Sequence, residues 1–199
     1  MLIIFLNGGH GNNTPGKRWS FDGKTFYEWE FNRTIVKLVA KELDILGIPY
    51  HIITPEDYDV PLSIRSQRVN DLAKKYGKDN CLLFSVHANA SEKHNASGVS
   101  VWTSRGTTES DKYAEIMWNT GKSMFVNARM MSDFSDGDHD FEAGFHMVTK
   151  TICPAVLVES FFYDYKKDFD YLMSDEGKKT IAKWYVETIK KCIEYHKNK

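Results

Sequence analysis

"LIIFLNGGHGNN", residues 2–13, opens the chain with an apolar run that stops abruptly at two glycines and a histidine. A short apolar run closed by glycines predicts a buried strand. His10, directly after this strand, has two interpretations: it binds a metal ion, or it belongs to a polar turn. The rest of the chain bears on that choice.

Segments with strand and helix patterns alternate after this first strand. Further strands are predicted at 49–55, 81–89, 98–104, 144–151 and 154–162, and helices at 28–47, 61–77, 110–125 and 174–197. Residues 8–27, rich in Gly, Asn, Thr and Pro, are predicted as a loop. Alternating strands and helices with short connections are typical of an α/β fold. We therefore expect a single catalytic domain over residues 1–199, with a twisted, mostly parallel sheet of about six strands and helices on both faces.

The composition is that of an ordinary globular domain. Hydrophobic residues make up 42% and charged residues 27% of the chain, and the formal net charge is −1. Such a balance favours neither nucleic acid nor an anionic membrane as a partner, and no apolar stretch of about 18 residues predicts a membrane span. Cys81, Cys153 and Cys192 form no CxxC pair, so we expect buried thiols rather than a zinc knuckle or a disulfide framework.

Polar residues with metal-binding chemistry follow the predicted strands. His10 lies just past the first strand, His87 follows "CLLFSV", and Glu159 follows "PAVLV". Glu28 begins the first helix. Ligand sites in α/β sheets collect at the carboxyl ends of the strands. A catalytic zinc site commonly has three His, Glu or Asp ligands and an open position for water, with a further carboxylate as general base. Position alone leaves both interpretations of His10 open.

Five segments carry a resemblance to a known family. They are Gly9-His10-Gly11, "EWEFN" (28–32), the trio Leu62, Arg65 and Asn70, "SVHANA" (85–90) with Ala96 and Gly98, and "PAVLVESFF" (154–162). Together and in this order they resemble the zinc-dependent N-acetylmuramoyl-L-alanine amidases of the amidase-3 family. The Gly-His-Gly motif alone is weak, but the matches extend from the first strand into the last core strand.

The resemblance implies three ligands for one zinc ion and one catalytic glutamate: His10, Glu28 and His87, and then Glu159. The implied substrate is the peptidoglycan amide between the lactyl group of N-acetylmuramic acid and the L-alanine of the stem peptide. The glutamate would take a proton from the attacking water and pass one to the departing nitrogen. Glu30 is an alternative to Glu28 as ligand, although the spacing to Asn32 favours Glu28.

The chain departs from the family pattern just before His10. The family often has an aspartate in this motif, where this chain has Asn7. An amide cannot serve as the carboxylate partner that orients a ligating histidine. We expect a carbonyl oxygen, from Asn7 or from the backbone, to accept the His10 N–H instead.

Three further residues are candidates for substrate contact: Asn89, Arg65 and Arg18. Asn89 belongs to the "SVHANA" motif, and Arg65 either anchors its helix or touches substrate. Arg18 lies with Lys17 and Trp19 in the loop after the first strand. Stem peptides carry carboxylates and sugars stack on aromatic rings, so this loop is either a substrate clamp or a plain surface loop.

The acidic loop "DFSDGDHDFEAG" (133–144) carries four aspartates. An EF-hand that began at Asp136 would need glycine and glutamate where the chain has Phe141 and Met147. A solvated lid, or a rim of the active-site groove, therefore fits better than a calcium site, with His139 as a minor candidate for an extra site contact. The remaining histidines are expected to be structural or exposed: His51, His94, His146 and His196.

Two other functions stay open: a zinc carboxypeptidase or other amidohydrolase on a related scaffold, and a catalytically inactive cell-wall-binding module. An inactive module would have lost a ligand or Glu159, and all four residues are present. Residues 1–6 are too short for a secretory signal, and no separate wall-binding domain is predicted. We expect a monomer that acts on the cell wall, either a phage or prophage lysin made in the cytoplasm or a host autolysin.

Overall fold

The chain forms eight strands and six α-helices in a computed structural model that describes residues 1–199. The strands are β1 (Ile3–Gly8), β2 (Arg18–Phe21), β3 (Lys24–Tyr27), β4 (Tyr50–Ile52), β5 (Cys81–Asn89), β6 (Val99–Thr103), β7 (Phe141–Glu142) and β8 (Ala155–Phe162). The helices are α1 (Glu28–Leu46), α2 (Leu62–Tyr76), α3 (Glu109–Met124), α4 (His146–Thr149), α5 (Lys166–Met173) and α6 (Asp175–Lys197).

Six of the strands form one sheet in the order β4-β1-β5-β8-β6-β7, and β2 and β3 form a separate hairpin. The strands β4, β1, β5 and β8 are parallel, whereas β6 runs antiparallel to β8. Parallel strands are covered on both faces, which explains the nearly continuous apolar sequences of β1 and β5. The predicted single α/β domain with a mostly parallel sheet of six strands is confirmed.

Two hydrophobic cores lie on opposite faces of this sheet. In β1, Ile4 and Leu6 join the larger core with side chains of α1, α3 and α6, whereas Ile3 and Phe5 join the smaller core with side chains of α2 and α4. This division follows from the alternation of side chains along a strand. The three cysteines are buried free thiols, as predicted. No helix has both the length and the apolarity that crossing a bilayer requires.

One strand prediction is wrong. The segment 144–151 contains the single-turn helix α4 rather than a strand, and the short edge strand is β7. Met147 and Val148, adjacent in sequence, both reach the smaller core. Adjacent residues of a strand would point to opposite faces, so a helical turn is what allows both to be buried here.

The prediction of a loop over residues 8–27 is also wrong in part. The hairpin of β2 and β3 occupies 18–27 and turns at Asp22 and Gly23, both of which have positive φ. Asp-Gly between two short alternating runs is a strong hairpin signal. Helix α5 was not predicted at all.

Candidate metal centre

His10 follows β1 at the carboxyl edge of the sheet and has an unusual backbone conformation. The Gly9 N–H donates to the Val86 carbonyl at 2.9 Å and extends the pairing with β5 beyond Gly8. His10 has φ of 60°, a left-handed conformation that residues with a Cβ rarely adopt and that clusters at functional sites. A Cβ on Gly9 would overlap the ring of His87. Glycine at this position therefore lets the two histidines approach each other.

Two buried arginines hold this turn through its carbonyl oxygens. Arg33 donates to the carbonyls of Gly8 and His10 at 2.6 and 2.8 Å. Arg65 donates to the same two carbonyls at 2.9 and 3.1 Å and pairs with Asp59 at 2.7 Å. Burial, aided by the charge of Arg65, lowers the pKa of Arg33 to about 10, so the Arg33 side chain remains cationic at neutral pH.

Arg65, one of the candidates for substrate contact, lies buried among protein oxygens. Its side chain is 2% exposed, and its donors are directed to protein oxygens. The alternative, that Arg65 anchors its helix, agrees with these contacts, which also join α2 to the His10 turn. Sequence reasoning missed Arg33, because an arginine near the start of an amphipathic helix usually lies at the surface.

Glu28 begins α1 and places one carboxylate oxygen between the two histidines. Its Oε1 lies 3.3 Å from His10 Nε2 and 3.1 Å from His87 Nδ1. Burial by itself raises the pKa of Glu28, but hydrogen bonds from both histidines outweigh it and hold this pKa below its usual range. Glu30, the alternative ligand, is exposed and lies outside this cluster.

His87 is held in the form that can bind a metal ion. Burial lowers its pKa more than the carboxylate of Glu28 raises it, so the ring is neutral at physiological pH. A neutral imidazole is the form of histidine that coordinates metals.

The three side chains fit a tetrahedral metal ion. The ligand atoms of His10, Glu28 and His87 all lie within 4.8 Å of one another. Zinc with ligands at about 2.0–2.1 Å separates neighbouring ligand atoms by about 3.3 Å, close to the two N···O distances above. Glu28 Oε2 is a buried acceptor without a hydrogen-bond partner, and Lys17 Nζ lies 3.7 Å from it, too far for a hydrogen bond. Two imidazoles and a carboxylate also form a known donor set for catalytic zinc.

Asn7 does not orient His10, contrary to one of the expected arrangements. Its Nδ2 donates to Ser85 Oγ at 2.8 Å, and its Oδ1 faces Arg65 at 3.5 Å. The amide therefore ties β1 to β5, the two strands that carry the histidines. His10 itself is held through its main chain by the two arginines.

β8 places Glu159 beside His87. The two residues are partners in the register of adjacent parallel strands, which lie about 4.8 Å apart. Burial raises the pKa of Glu159 well above its usual value, the charge of Glu28 adds to this, and Lys17 opposes it. A carboxyl group of raised pKa beside a candidate metal centre has the properties of a general base.

The other two candidates for substrate contact are close in sequence to residues of the centre. Asn89 follows a bulge in β5, and its Oδ1 accepts the N–H of Ala90 at 2.9 Å. Arg18 is exposed at the start of β2 and lines a cleft of about 310 Å³ that Tyr27 and Trp29 also line.

The remaining histidines have partners of their own. His51 contacts Tyr76, His94 contacts Asp164, His146 contacts Ser66, and His196 contacts Tyr113. His139, considered above for an extra site contact, stacks on Trp118 at 3.6 Å and pairs with Glu115. Both partners belong to α3, so His139 fastens the acidic loop to that helix.

The acidic loop is also tied to the sheet. Thr103 of β6 donates to the buried carboxyl of Asp140 at 2.7 Å. Burial raises the pKa of Asp140 to about 8, and the neighbouring Asp138 adds to the effect. A carboxyl with this pKa is mostly protonated at neutral pH, so Asp140 is held as a neutral hydrogen-bonding group.

The fold and the site together define an α/β enzyme with a candidate metal centre at the carboxyl edge of its sheet. The family model described as N-acetylmuramoyl-L-alanine amidase, amidase-3, matches residues 4–191. The chain belongs to this family of peptidoglycan amidases.

Solved structures of amidases share the fold over nearly the whole chain. The N-acetylmuramoyl-L-alanine amidase of Clostridium difficile 630 is 21% identical, with a TM-score of 0.81 and 97% of each chain covered. The catalytic domain of CwlV, from Bacillus (Paenibacillus) polymyxa var. colistinus, is 20% identical, with a TM-score of 0.79 and 98% and 99% covered. The catalytic domain of the CD27L endolysin, which targets Clostridia difficile, is 25% identical, with a TM-score of 0.67 and 96% and 98% covered.

Proposed function

We propose that this enzyme is a zinc-dependent N-acetylmuramoyl-L-alanine amidase that cleaves the bond between N-acetylmuramic acid and the L-alanine of the stem peptide. The cluster of His10, Glu28 and His87 with Glu159 beside it carries the proposal. Membership of the amidase family supplies the substrate class. Zinc bound by the three ligands would polarise the scissile carbonyl and acidify a water molecule.

Glu159 is the proton carrier in this proposal. It takes a proton from the attacking water as the water oxygen bonds to the carbonyl carbon and the C=O electron pair moves to the oxygen. The C–N bond then breaks, and the nitrogen of L-alanine receives the proton from Glu159. Burial raises the pKa of Glu159, so this carboxyl holds the proton more firmly than an ordinary carboxyl until the nitrogen takes it.

The surrounding residues position the reacting groups. Arg33 and Arg65 fix the main chain of His10, and Asn7 and Ser85 join the two histidine-bearing strands. We further propose that Asn89 and Arg18 contact the substrate, with Arg18 suited to a carboxylate of the stem peptide.

Product analysis tests the reaction. Purified protein supplied with zinc is expected to release stem peptides from peptidoglycan and to expose new L-alanine amino termini. Shortened peptides alone would instead identify a carboxypeptidase, and new reducing ends a glycosidase. Either result would overturn the proposal, as would the absence of any product.

Replacement of Glu159 tests the mechanism. Glu159→Gln is expected to lower turnover by about 10²–10⁴-fold, because the amide cannot carry the proton. Elemental analysis should still find one zinc per chain in this variant. Loss of zinc would instead place Glu159 among the ligands.

The site of action is proposed to be the cell wall, reached by a monomer. The fold shared with an endolysin catalytic domain is compatible with a phage or prophage lysin, and a host autolysin is the second candidate. A holin gene adjacent to the coding sequence would favour the lysin.

A further inference from the structure

Lys17 is a cation at the candidate metal centre that the proposed mechanism does not use. Its Nζ lies 3.7 Å from Glu28 Oε2, the carboxylate oxygen that has no hydrogen-bond partner. Burial has the largest effect on both neighbouring groups: it lowers the pKa of His87 and raises the pKa of Glu159. The charge of Lys17 lowers both pKa values. The side chain is 43% exposed, so the ammonium lies between these buried groups and solvent.

The hairpin of β2 and β3 fixes Lys17 in this place. Arg18 and Tyr27 are partners in its register, so the residues just outside them, Lys17 and Glu28, face each other. The Lys17 carbonyl accepts the N–H of Glu28 at 3.0 Å. The main chain of Lys17 is therefore held against the first residue of α1, which leaves only the four-carbon side chain free to move.

The charges around Lys17 indicate what it can stabilise. Glu28 is a buried carboxylate whose charge opposes a further build-up of negative charge in the site, whereas Glu159 is neutral once it has taken the proton of the water. Amide hydrolysis creates such a charge on the scissile carbonyl oxygen when water adds to the carbonyl carbon. The ammonium of Lys17 can balance it from the solvent side, whereas the guanidinium groups of Arg33 and Arg65 are engaged with the His10 turn.

We propose that Lys17 is a catalytic residue whose ammonium stabilises the oxyanion formed on the scissile carbonyl. This inference rests on the proposed amidase function. As water adds, its proton goes to Glu159, and the C=O electron pair moves to the oxygen that faces Lys17. When the C–N bond breaks, that pair re-forms the carbonyl and the nitrogen takes the proton. Lys17 keeps its own proton throughout.

The short distance between Lys17 and Glu28 favours the reacting amide, rather than a carboxylate of the stem peptide, as the group that Lys17 contacts. Lys17 Nζ lies 3.7 Å from one oxygen of Glu28, whose other oxygen lies between the two histidines. The carboxylates of the stem are several bonds further along the substrate. Arg18, exposed at the neighbouring position, is better placed for them.

Kinetics of Lys17→Met test this role on a soluble muropeptide. The kcat is expected to fall by about 10²–10³-fold, the usual effect of losing one oxyanion donor, while KM changes little. Lys17→Arg should restore part of the kcat because it keeps the charge. The matched control is Lys24→Met, an exposed lysine of the same hairpin, which should behave as wild type.

The kinetic outcomes separate the two proposals. An inactive wild-type enzyme would contradict the amidase function itself. An active wild type with an unchanged kcat in Lys17→Met would overturn only the role of Lys17. A raised KM at unchanged kcat would also overturn it, since Lys17 would then bind substrate equally in the ground and transition states.

Zinc affinity supplies a readout independent of activity. A cation this close to a ligand oxygen repels a divalent ion, so removing it should tighten zinc binding by about fivefold or more. Chelator competition on Glu159→Gln, with and without Lys17→Met, measures the change. Unchanged or weaker zinc binding would overturn the proposal, because Lys17 would then not face the metal centre or would only support its structure.

Discussion

Glu28 is the residue on which the candidate metal centre is built. One of its oxygens lies between His10 and His87, and the other faces Lys17. The side chain is 1% exposed, so its charge is poorly screened by solvent. Glu28 is thus a buried carboxylate with two imidazoles and an ammonium around it.

Replacing the carboxylate of Glu28 tests whether Glu28 or the nearby Glu30 is the metal ligand. Glu28→Gln keeps the shape of the side chain but removes the charge. We expect zinc affinity to fall by more than the roughly 10–100-fold that loss of a ligand's hydrogen-bond partner costs. Chelator competition measures the affinity, and circular dichroism checks that the variant folds.

Glu30→Gln is the matched control, since Glu30 is exposed two residues further along the same helix. It should bind zinc as the wild type does. If Glu30→Gln lost zinc and Glu28→Gln retained it, the assignment of the ligand would be reversed.

At the scale of elements, the turn after β1 is supported by two helices. Helix α1 contributes Arg33 and α2 contributes Arg65, and both donate to the carbonyls of Gly8 and His10. Gly8 is the last residue of β1 and His10 lies beyond it, and the arginine side chains satisfy both carbonyls. The two arginines thereby transmit the packing of the helices to the position of a candidate ligand.

Arg65→Met should therefore destabilise the protein strongly. It removes several charge-assisted hydrogen bonds, each worth about 1.5–3 kcal/mol, from a buried site. We expect the free energy of unfolding in urea to fall by about 3 kcal/mol or more. Arg68→Met, one turn further along α2, removes a pair with Glu56 that is partly exposed and should cost about 1 kcal/mol. Equal losses in the two variants would contradict the anchoring role of Arg65.

At the scale of the whole molecule, the site joins parts of the chain that are far apart in sequence. His10 follows β1, Glu28 begins α1, and His87 lies in β5. A metal ion bound by all three would link two adjacent strands to the helix that covers them. Because the unfolded chain does not hold these ligands together, metal binding should stabilise the folded state.

Removal of the metal should therefore lower the melting temperature. Zinc at 100 times its Kd contributes about 2.7 kcal/mol, or roughly 5–10 °C for a domain of this size. Differential scanning calorimetry with and without a chelator measures the shift. Glu28→Gln should show almost no chelator effect, and an equal shift in that variant would mean that zinc binds elsewhere.

Much of the fold was predictable because its signals are local. The parallel strands are buried on both faces, so their apolar runs are visible in sequence, and "LIIFLN" and "CLLFSV" correspond to β1 and to most of β5. The edge of the sheet was harder to predict. The segment 144–151 has a strand-like composition, yet packing of Met147 and Val148 into one core selects a helical turn.

The sequence by itself determined the α/β class, the order of the main strands and the candidate residues His10, Glu28, His87 and Glu159, because motif spacing and buried strands are properties of short segments. Only the tertiary structure decided which of these groups meet, that Arg65 faces inward, and that Lys17 faces Glu28. Those relations depend on strand register, on the hairpin and on burial, which arise from contacts between residues distant in the chain. For the same reason, Asn7 could be placed only by the structure: it ties β1 to β5 and does not orient His10.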